Sequence, residues 1–506
     1  MPSANTNRRW LAAAASVAVL AASGLANAEE RVLVLKAARI HTVAGEPVDG
    51  GTLMIRGGEV AAVGTDVAVP DDARVIDLKD AVLTPGLVDA LCTIDSRIRQ
   101  NSPNWSVGSV DRSFFRRASE YQAAVAQAAA LNVHVCGGDC GGPPENPPHG
   151  LFGHNCCAKC AGPRMASTTL GLALGVEADQ TWSEQSSEVT PHLLAIDTVN
   201  LMSSDFKRLL AGGVTTVYVS PDSANVIGSR GTTLKTGGPL DRRVVQRAGA
   251  VKISVGSDPI SRGQANFLPP LYGPPPTFHT RRPTTRMGVD WVFRKAFYDA
   301  RRAADGLPLS GADTPPEEAL PVLQSILAGE TPVRIQARMQ HDIYSAIRLA
   351  DEFGIKFILE EATEAYRALP RIQSAGVPVI FGPIYMQASG WRAYSREVDR
   401  PRLNTPRQLR DAGIPFALTA QEMRDEEGLV RQAALAARYG LTREQALRAI
   451  TAQPASLLGL GDRLGRLTPG AAADVVAWSG EPLDATSRVL LVLIDGAVVY
   501  DARERN

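Results

Sequence analysis

From Val32 to about Val82 the apolar residues come in short runs broken by turn-formers. The runs are Val32 to Lys36, Ala38 to Val43, Thr52 to Arg56, Glu59 to Val63 and Arg74 to Asp77, with Gly57-Gly58 between two of them. Short runs joined by glycine pairs predict antiparallel hairpins. The far end behaves alike: Ala473 to Trp478 and Leu490 to Ile494 read as strands, and Asp495-Gly496 as a tight turn into Ala497 to Tyr500. Neither end carries enough apolar surface for a strong sheet alone. The two are therefore expected to meet in one small β domain around a long middle segment.

The middle has another rhythm. Gly213 to Val219, Ala250 to Val255, Val333 to Ala337, Lys356 to Leu359, Val377 to Phe381 and Pro415 to Leu418 alternate with helical stretches. In Ile343 to Phe353 the apolar residues recur every three and four positions, as on an amphipathic helix. Tyr366 to Ala375, Pro406 to Ala412 and Gly428 to Tyr439 read as helices, and Thr442 with Gln445 has capping-box spacing. Repeated strand–helix units of this total length favour a closed β/α barrel over an open sheet. A Cys/Gly/Pro-rich stretch over 132–164 and a Pro/Arg-rich stretch over 259–286 break the rhythm and predict long loops.

The N-terminus and the charge balance narrow the picture further. Arg8 and Arg9 precede an apolar, alanine-rich run from Trp10 to Leu25, and Ala26-Asn27-Ala28 has the small-x-small form of a processing site. Residues 1–28 thus read as a cleavable export signal, weakly similar to the twin-arginine type, with an uncleaved anchor as the alternative. A periplasmic or secreted location is expected. Removing the two arginines of this segment leaves 51 basic residues against 53 acidic ones, a balance that gives no reason to expect a nucleic-acid partner. No later stretch reads as membrane-spanning.

Leu83-Thr84-Pro85-Gly86-Leu87-Val88-Asp89-Ala90, Gly212-Gly213-Val214-Thr215-Thr216-Val217, and the segment from Glu444 to Tyr500 carry a family resemblance. The last contains Pro454-Ala455, Pro469-Gly470, Ala473-Asp474-Val475-Val476-Ala477-Trp478 and Ile494-Asp495-Gly496. In order and content these segments resemble the amidohydrolase superfamily, in its imidazolonepropionase-like and dipeptidase-like branch. The resemblance implies an α/β fold, an amidohydrolase-type (β/α)8 barrel over 84–460. It also implies a small β-sandwich domain from 29–83 and 461–506. It further implies one or two divalent metals, zinc or another, at the C-terminal mouth of the barrel, where a metal-acidified water attacks a carbonyl or related carbon.

Against that pattern the ligand positions are substituted. Where the family has His-x-His, this chain has Leu91 and Thr93 flanking Cys92; Gln336 and Glu361 stand where histidines are expected, and Gln421 where the catalytic aspartate is expected. A hydrocarbon, a hydroxyl, two amides and one carboxylate are a poor donor set for a metal, and Arg338, facing the same way as Gln336, would repel one. Arg338 is expected either to approach Glu361 in the metal's stead or to point, like it, into water at the rim. Lys235 is expected near the pocket mouth. Cys92 reads as a small buried hydrophobe rather than a nucleophile. Of the histidines, His341 has the best claim to line the mouth.

Cys136, Cys140, Cys156, Cys157 and Cys160, with His134, His149 and His154 nearby, form a separate candidate site. Structural disulfides, a bound metal or cluster, and reduced thiols all remain open for it. Taken together, these readings predict a weakened or inactive amidohydrolase-like protein serving as a binding or assembly subunit. A homo-oligomer, or a hetero-oligomer with an active relative, is the expected partner state. The alternative is a hydrolase of amide, cyclic amide or dipeptide C–N bonds with an atypical centre.

Overall fold

The computed structural model describes residues 32–94, 187–260, 282–309, 311, 313–385, 401–421 and 428–503. The two chain ends meet in a sandwich of two sheets. In one, Leu33–Lys36 lies between Thr52–Arg56, antiparallel, and Arg74–Asp77, parallel, and Glu59–Gly64 extends the Thr52–Arg56 edge. In the other, Val475–Trp478 pairs antiparallel with Val82–Pro85 on one side and Val489–Ile494 on the other. Alternate residues of both sheets turn inward, and Leu35, Leu53, Ile55, Leu83, Val475, Ala477, Leu491 and Leu493 form the shared core. At the returning hairpin Asp495 and Gly496 both have left-handed φ, 47° and 74°, as a type I′ turn requires.

The middle of the chain forms the barrel. We number its strands β1 (Leu87–Cys92), β2 (Val214–Val219), β3 (Ile227–Arg230), β4 (Val251–Ser254), β5 (Val333–Ala337), β6 (Phe357–Glu361), β7 (Val379–Phe381) and β8 (Phe416–Leu418). Strands β4 to β8 are parallel in sequential order, β1 is parallel to β2, and a bridge between Cys92 and Gln421 joins β8 to β1. Helices cover the outside. Gln340–Phe353, between β5 and β6, buries Ile343, Ala346, Ile347, Ala350 and Phe353, the stripe that its three-four periodicity predicts.

The third stave departs from an all-parallel barrel. β3 runs antiparallel to β4, and its continuation Thr232–Lys235 runs antiparallel to β2. Only residues 220–226 separate β2 from β3, whereas a parallel crossover needs about a dozen residues or more. The chain therefore turns straight back. Gly231 lets the returning strand pass Tyr218, since a Cβ there would sit 2.3 Å from the phenol oxygen.

This reversal corrects the expected position of Lys235. The strand carries Lys235 away from the mouth to the opposite end, where its Nζ donates to Asp474 Oδ2 at 2.6 Å. Both side chains are buried, and Asp495 lies 3.7 Å away. Lys235 thus joins the barrel to the sandwich. No helix among the described residues is long and apolar enough to cross a membrane.

Candidate active site at the barrel mouth

Parallel strands with matched register project side chains into the barrel in layers. Lys252 of β4 is level with Arg334 of β5, and Ser254 with Gln336 and then Glu360 of β6. The lower layer is a buried charge cluster. Lys252 Nζ donates to Glu360 Oε2, and Arg334 Nη1 donates to Glu360 Oε1 at 3.1 Å and to the Ala90 carbonyl at 2.5 Å. The Arg334 guanidinium lies 3.6 Å from the centroid of the Tyr218 ring. Burial, the largest influence, pushes the Tyr218 hydroxyl up to about 12, and it donates instead to the Ala250 carbonyl at 3.0 Å.

Above this layer, Arg338 is gripped by two carboxylates. Its Nε donates to Glu361 Oε2 and its Nη2 to Glu361 Oε1 at 3.3 Å, while Nη1 reaches Asp258 Oδ1 at 2.8 Å. Nη2 also lies 2.7 Å from Asp258 Oδ2. The side chains of Arg338, Asp258 and Glu361 are only 3%, 6% and 1% exposed, so this is an interior network rather than a rim contact. The two glutamines complete it: Gln336 Nε2 donates to Asp258 Oδ2 at 3.4 Å and Gln421 Nε2 to Glu361 Oε1 at 3.0 Å. Their amide oxygens are buried and have no hydrogen-bond partner among the described residues.

Backbone geometry explains how two consecutive glutamates can both face inward. Residues along a strand alternate between faces, so Glu360 inside would place Glu361 outside. Glu361 and Ala362 instead adopt left-handed φ of 66° and 48°, and Gln421 has φ of 53°. For residues other than glycine such conformations cost about 1–3 kcal/mol each and persist where surrounding structure enforces them. The strain coincides with two of the substituted ligand positions.

The β1 positions are not presented as donors. Leu91 is buried against Ala90 and Ile380. Thr93 Oγ1 donates to the Gln421 carbonyl at 2.9 Å, which ties β1 to β8. Cys92 is a free, buried thiol pushed well above its ordinary pKa, chiefly by burial. Below them Asp89 accepts from Thr419 Oγ1 at 2.6 Å and from the Leu91 and Ala420 N–H groups at 3.1 and 3.2 Å. Burial, partly offset by these three bonds, raises its carboxyl to about 6.

Arg338 and Glu361, whose association the sequence left open, are thus in contact. Asp258, Lys252, Arg334 and Glu360 belong to the same interior and escaped the sequence reading. Asp258 carried a usable signal, since it closely follows the strand Ala250 to Val255, in the loop that a barrel brings to its mouth. His41 pairs with Glu481 at 3.0 Å in the sandwich, far from the mouth. His341 is mostly exposed, 3.2 Å from Asp342, and lines an outer cleft of about 470 Å³ with Arg286 and Tyr344. The five clustered cysteines, with His134, His149, His154 and His279, lie outside the described residues, as does segment 1–28.

The donor set does not fit the metal centre that the resemblance implies. No group of three His, Cys, Asp or Glu side chains able to hold a metal ion occurs among the described residues. A divalent ion placed between Asp258 and Glu361 would also meet the Arg338 guanidinium at contact distance.

With this geometry in view, kinship explains the scaffold. The amidohydrolase family model matches residues 412–500. An amidohydrolase of Hapsidospora irregularis, tasK, is 26% identical over 361 residues, which are 65% of this chain but 34% of that protein. The chain therefore spans about a third of that curated relative. The crystal structure of an amidohydrolase from Thermotoga maritima aligns over 93% of this chain and 100% of its own, with 25% identity and a TM-score of 0.67. The fold is that of a barrel hydrolase with a composite sandwich. In sequence and in fold the chain is similar to the amidohydrolase family.

Proposed function

We propose that the chain is a C–N hydrolase-type protein with an atypical centre, which admits an amide, cyclic amide or dipeptide to the barrel mouth. Similarity to an amidohydrolase along nearly the full chain supports this reading. The observation that carries it is the strained, left-handed presentation of Glu361 and Gln421 into the barrel. A carbonyl entering the mouth would compete with Glu361 for Arg338, and the carboxylate so released is a base for water. No step is assigned to a metal. The N-terminal run, read as an export signal, places the mature chain outside the cytoplasm in this proposal.

A second reading is favoured by the Arg338 clamp itself. With both mouth carboxylates held by one guanidinium, the protein binds such a ligand without turning it over, or acts as an assembly subunit beside an active relative. One experiment separates the two. Purified protein is incubated with N-acyl amino acids, dipeptides and cyclic amides while binding and product are measured together. Turnover that Glu361→Gln abolishes supports the hydrolase; saturable binding without product supports the second reading. If neither binding nor product is seen for any of these compounds, the ligand class is wrong.

A further inference from the structure

We infer that the chain pairs with a second copy of itself through the outer face of the helix Arg286–Ala304, the two helices crossing antiparallel about a two-fold axis midway between Trp291 and Arg294. The inner face of this helix buries Val289, Val292, Phe293, Ala296, Phe297 and Ala300. The face opposite such a stripe is ordinarily charged or polar. Here it carries Met287, Trp291, Arg294 and Tyr298, and spacings of four, three and four keep them in one row. Met287, Trp291 and Tyr298 are 80%, 44% and 45% exposed, and Tyr344 of the neighbouring helix Gln340–Phe353 adds a fourth large side chain at 42%. Methionine, tryptophan, tyrosine and arginine are the types enriched where protein surfaces meet. A cluster of them in water marks an interaction surface.

The order of the row selects the occupant. Its four-three-four spacing reads the same in both directions, so a two-fold axis sets Met287 against Tyr298 of the second copy and Trp291 against Arg294. Both pairings are chemically matched, sulfur to aromatic ring and guanidinium to indole face. Charge agrees with the same axis. Asp290 holds Arg348 at 2.7 Å and Arg294 holds Glu352 at 2.8 Å, so the helix Gln340–Phe353 runs alongside with Arg348 and Glu352 on either side of the axis. The symmetry then places Arg348, whose side chain is 58% exposed, opposite Glu352 of the second copy. A foreign helix would have to match two rows at once, whereas a second copy matches both by symmetry. This inference is independent of what the barrel mouth binds or turns over.

The test is sedimentation of the full chain over a wide concentration series. Wild type should show a reversible monomer–dimer equilibrium. Met287→Arg/Trp291→Glu should weaken it by at least roughly tenfold, since both residues lie at the centre of the contact. Arg348→Glu, which brings two like charges together, should weaken it by a smaller factor. Register is read by thiol cross-linking with a short reagent, against wild type with its own six cysteines as background. Met287→Cys and Tyr298→Cys each stand about 8 Å along the helix from the axis, on opposite sides of it. Neither should link to its own kind, and an equimolar mixture of the two should link readily.

A wild type that is monomeric throughout overturns the inference, as does a dimer that both sets of substitutions leave unchanged. Self-linking of either cysteine variant to the level of the mixture overturns the antiparallel register. Should the double variant misfold by circular dichroism, Arg348→Glu and the cross-linking pattern decide alone.

Discussion

Glu360 is shared by two buried cations, and exchanging it for glutamine leaves both without their counter-charge. The side chains of Lys252, Arg334 and Glu360 are 2%, 3% and 0% exposed, so solvent cannot supply the missing charge. Breaking a buried pair from one side costs about 3–5 kcal/mol. Arg334 keeps its bond to the Ala90 carbonyl and its place over Tyr218, which puts Glu360→Gln toward the lower end, about 3 kcal/mol. Replacing the whole cluster, as Lys252→Met/Arg334→Met/Glu360→Leu, removes the charges together with their desolvation cost. That variant should fall within about 1 kcal/mol of wild type or exceed it. Urea unfolding followed by tryptophan fluorescence and circular dichroism reads both, and agreement of the two probes licenses the comparison. The reasoning fails if Glu360→Gln costs less than about 1 kcal/mol, or if the triple variant is the less stable of the two.

Asp89 makes stability depend on pH in a direction opposite to most carboxylates. Burial raises its carboxyl from 3.8 to about 6 in the folded chain, so its favourable contribution is complete below about pH 4 and disappears as pH rises through 6. The stability gap between wild type and Asp89→Asn should therefore drift by about 2 kcal/mol against wild type between pH 4 and 7; a gap flat over that range contradicts the assignment. At the seam, Lys235→Met strands the buried Asp474 and should cost about 3 kcal/mol, and adding Asp474→Asn should recover most of the loss. Additive destabilisation in the double variant would mean that the pair is not coupled.

The sandwich was legible because its signals are local: glycine pairs, Asp495-Gly496 and alternating apolar runs each fix a turn or a face within a few residues. The barrel strands from β4 onward were legible for the same reason. The reversed third stave was not. Gly228-Ser229-Arg230-Gly231 carries no apolar alternation that would mark a strand, and only the shortness of the 220–226 connection shows that the chain must return antiparallel. Lys235 was misplaced with it. At the mouth, the identity of Leu91, Thr93, Gln336, Arg338, Glu361 and Gln421 followed from the motif order. The left-handed φ at Glu361 and Gln421 did not, because neither residue type announces it. Asp258 and the Lys252–Arg334–Glu360 cluster depend on register between strands distant in sequence, which no local pattern encodes.

The reversed strand also bears on how the molecule comes apart. Its near end borders β2, where the N–H of the next residue, Ser220, donates to the Cys92 carbonyl at the end of β1, and its far end is anchored by Lys235 to the sandwich. One continuous ribbon thus spans the molecule from top to bottom, while the chain's two ends are zipped together by Val82–Pro85 and Val475–Trp478. Neither layer can melt without loosening the other. Calorimetry should accordingly record a single cooperative peak.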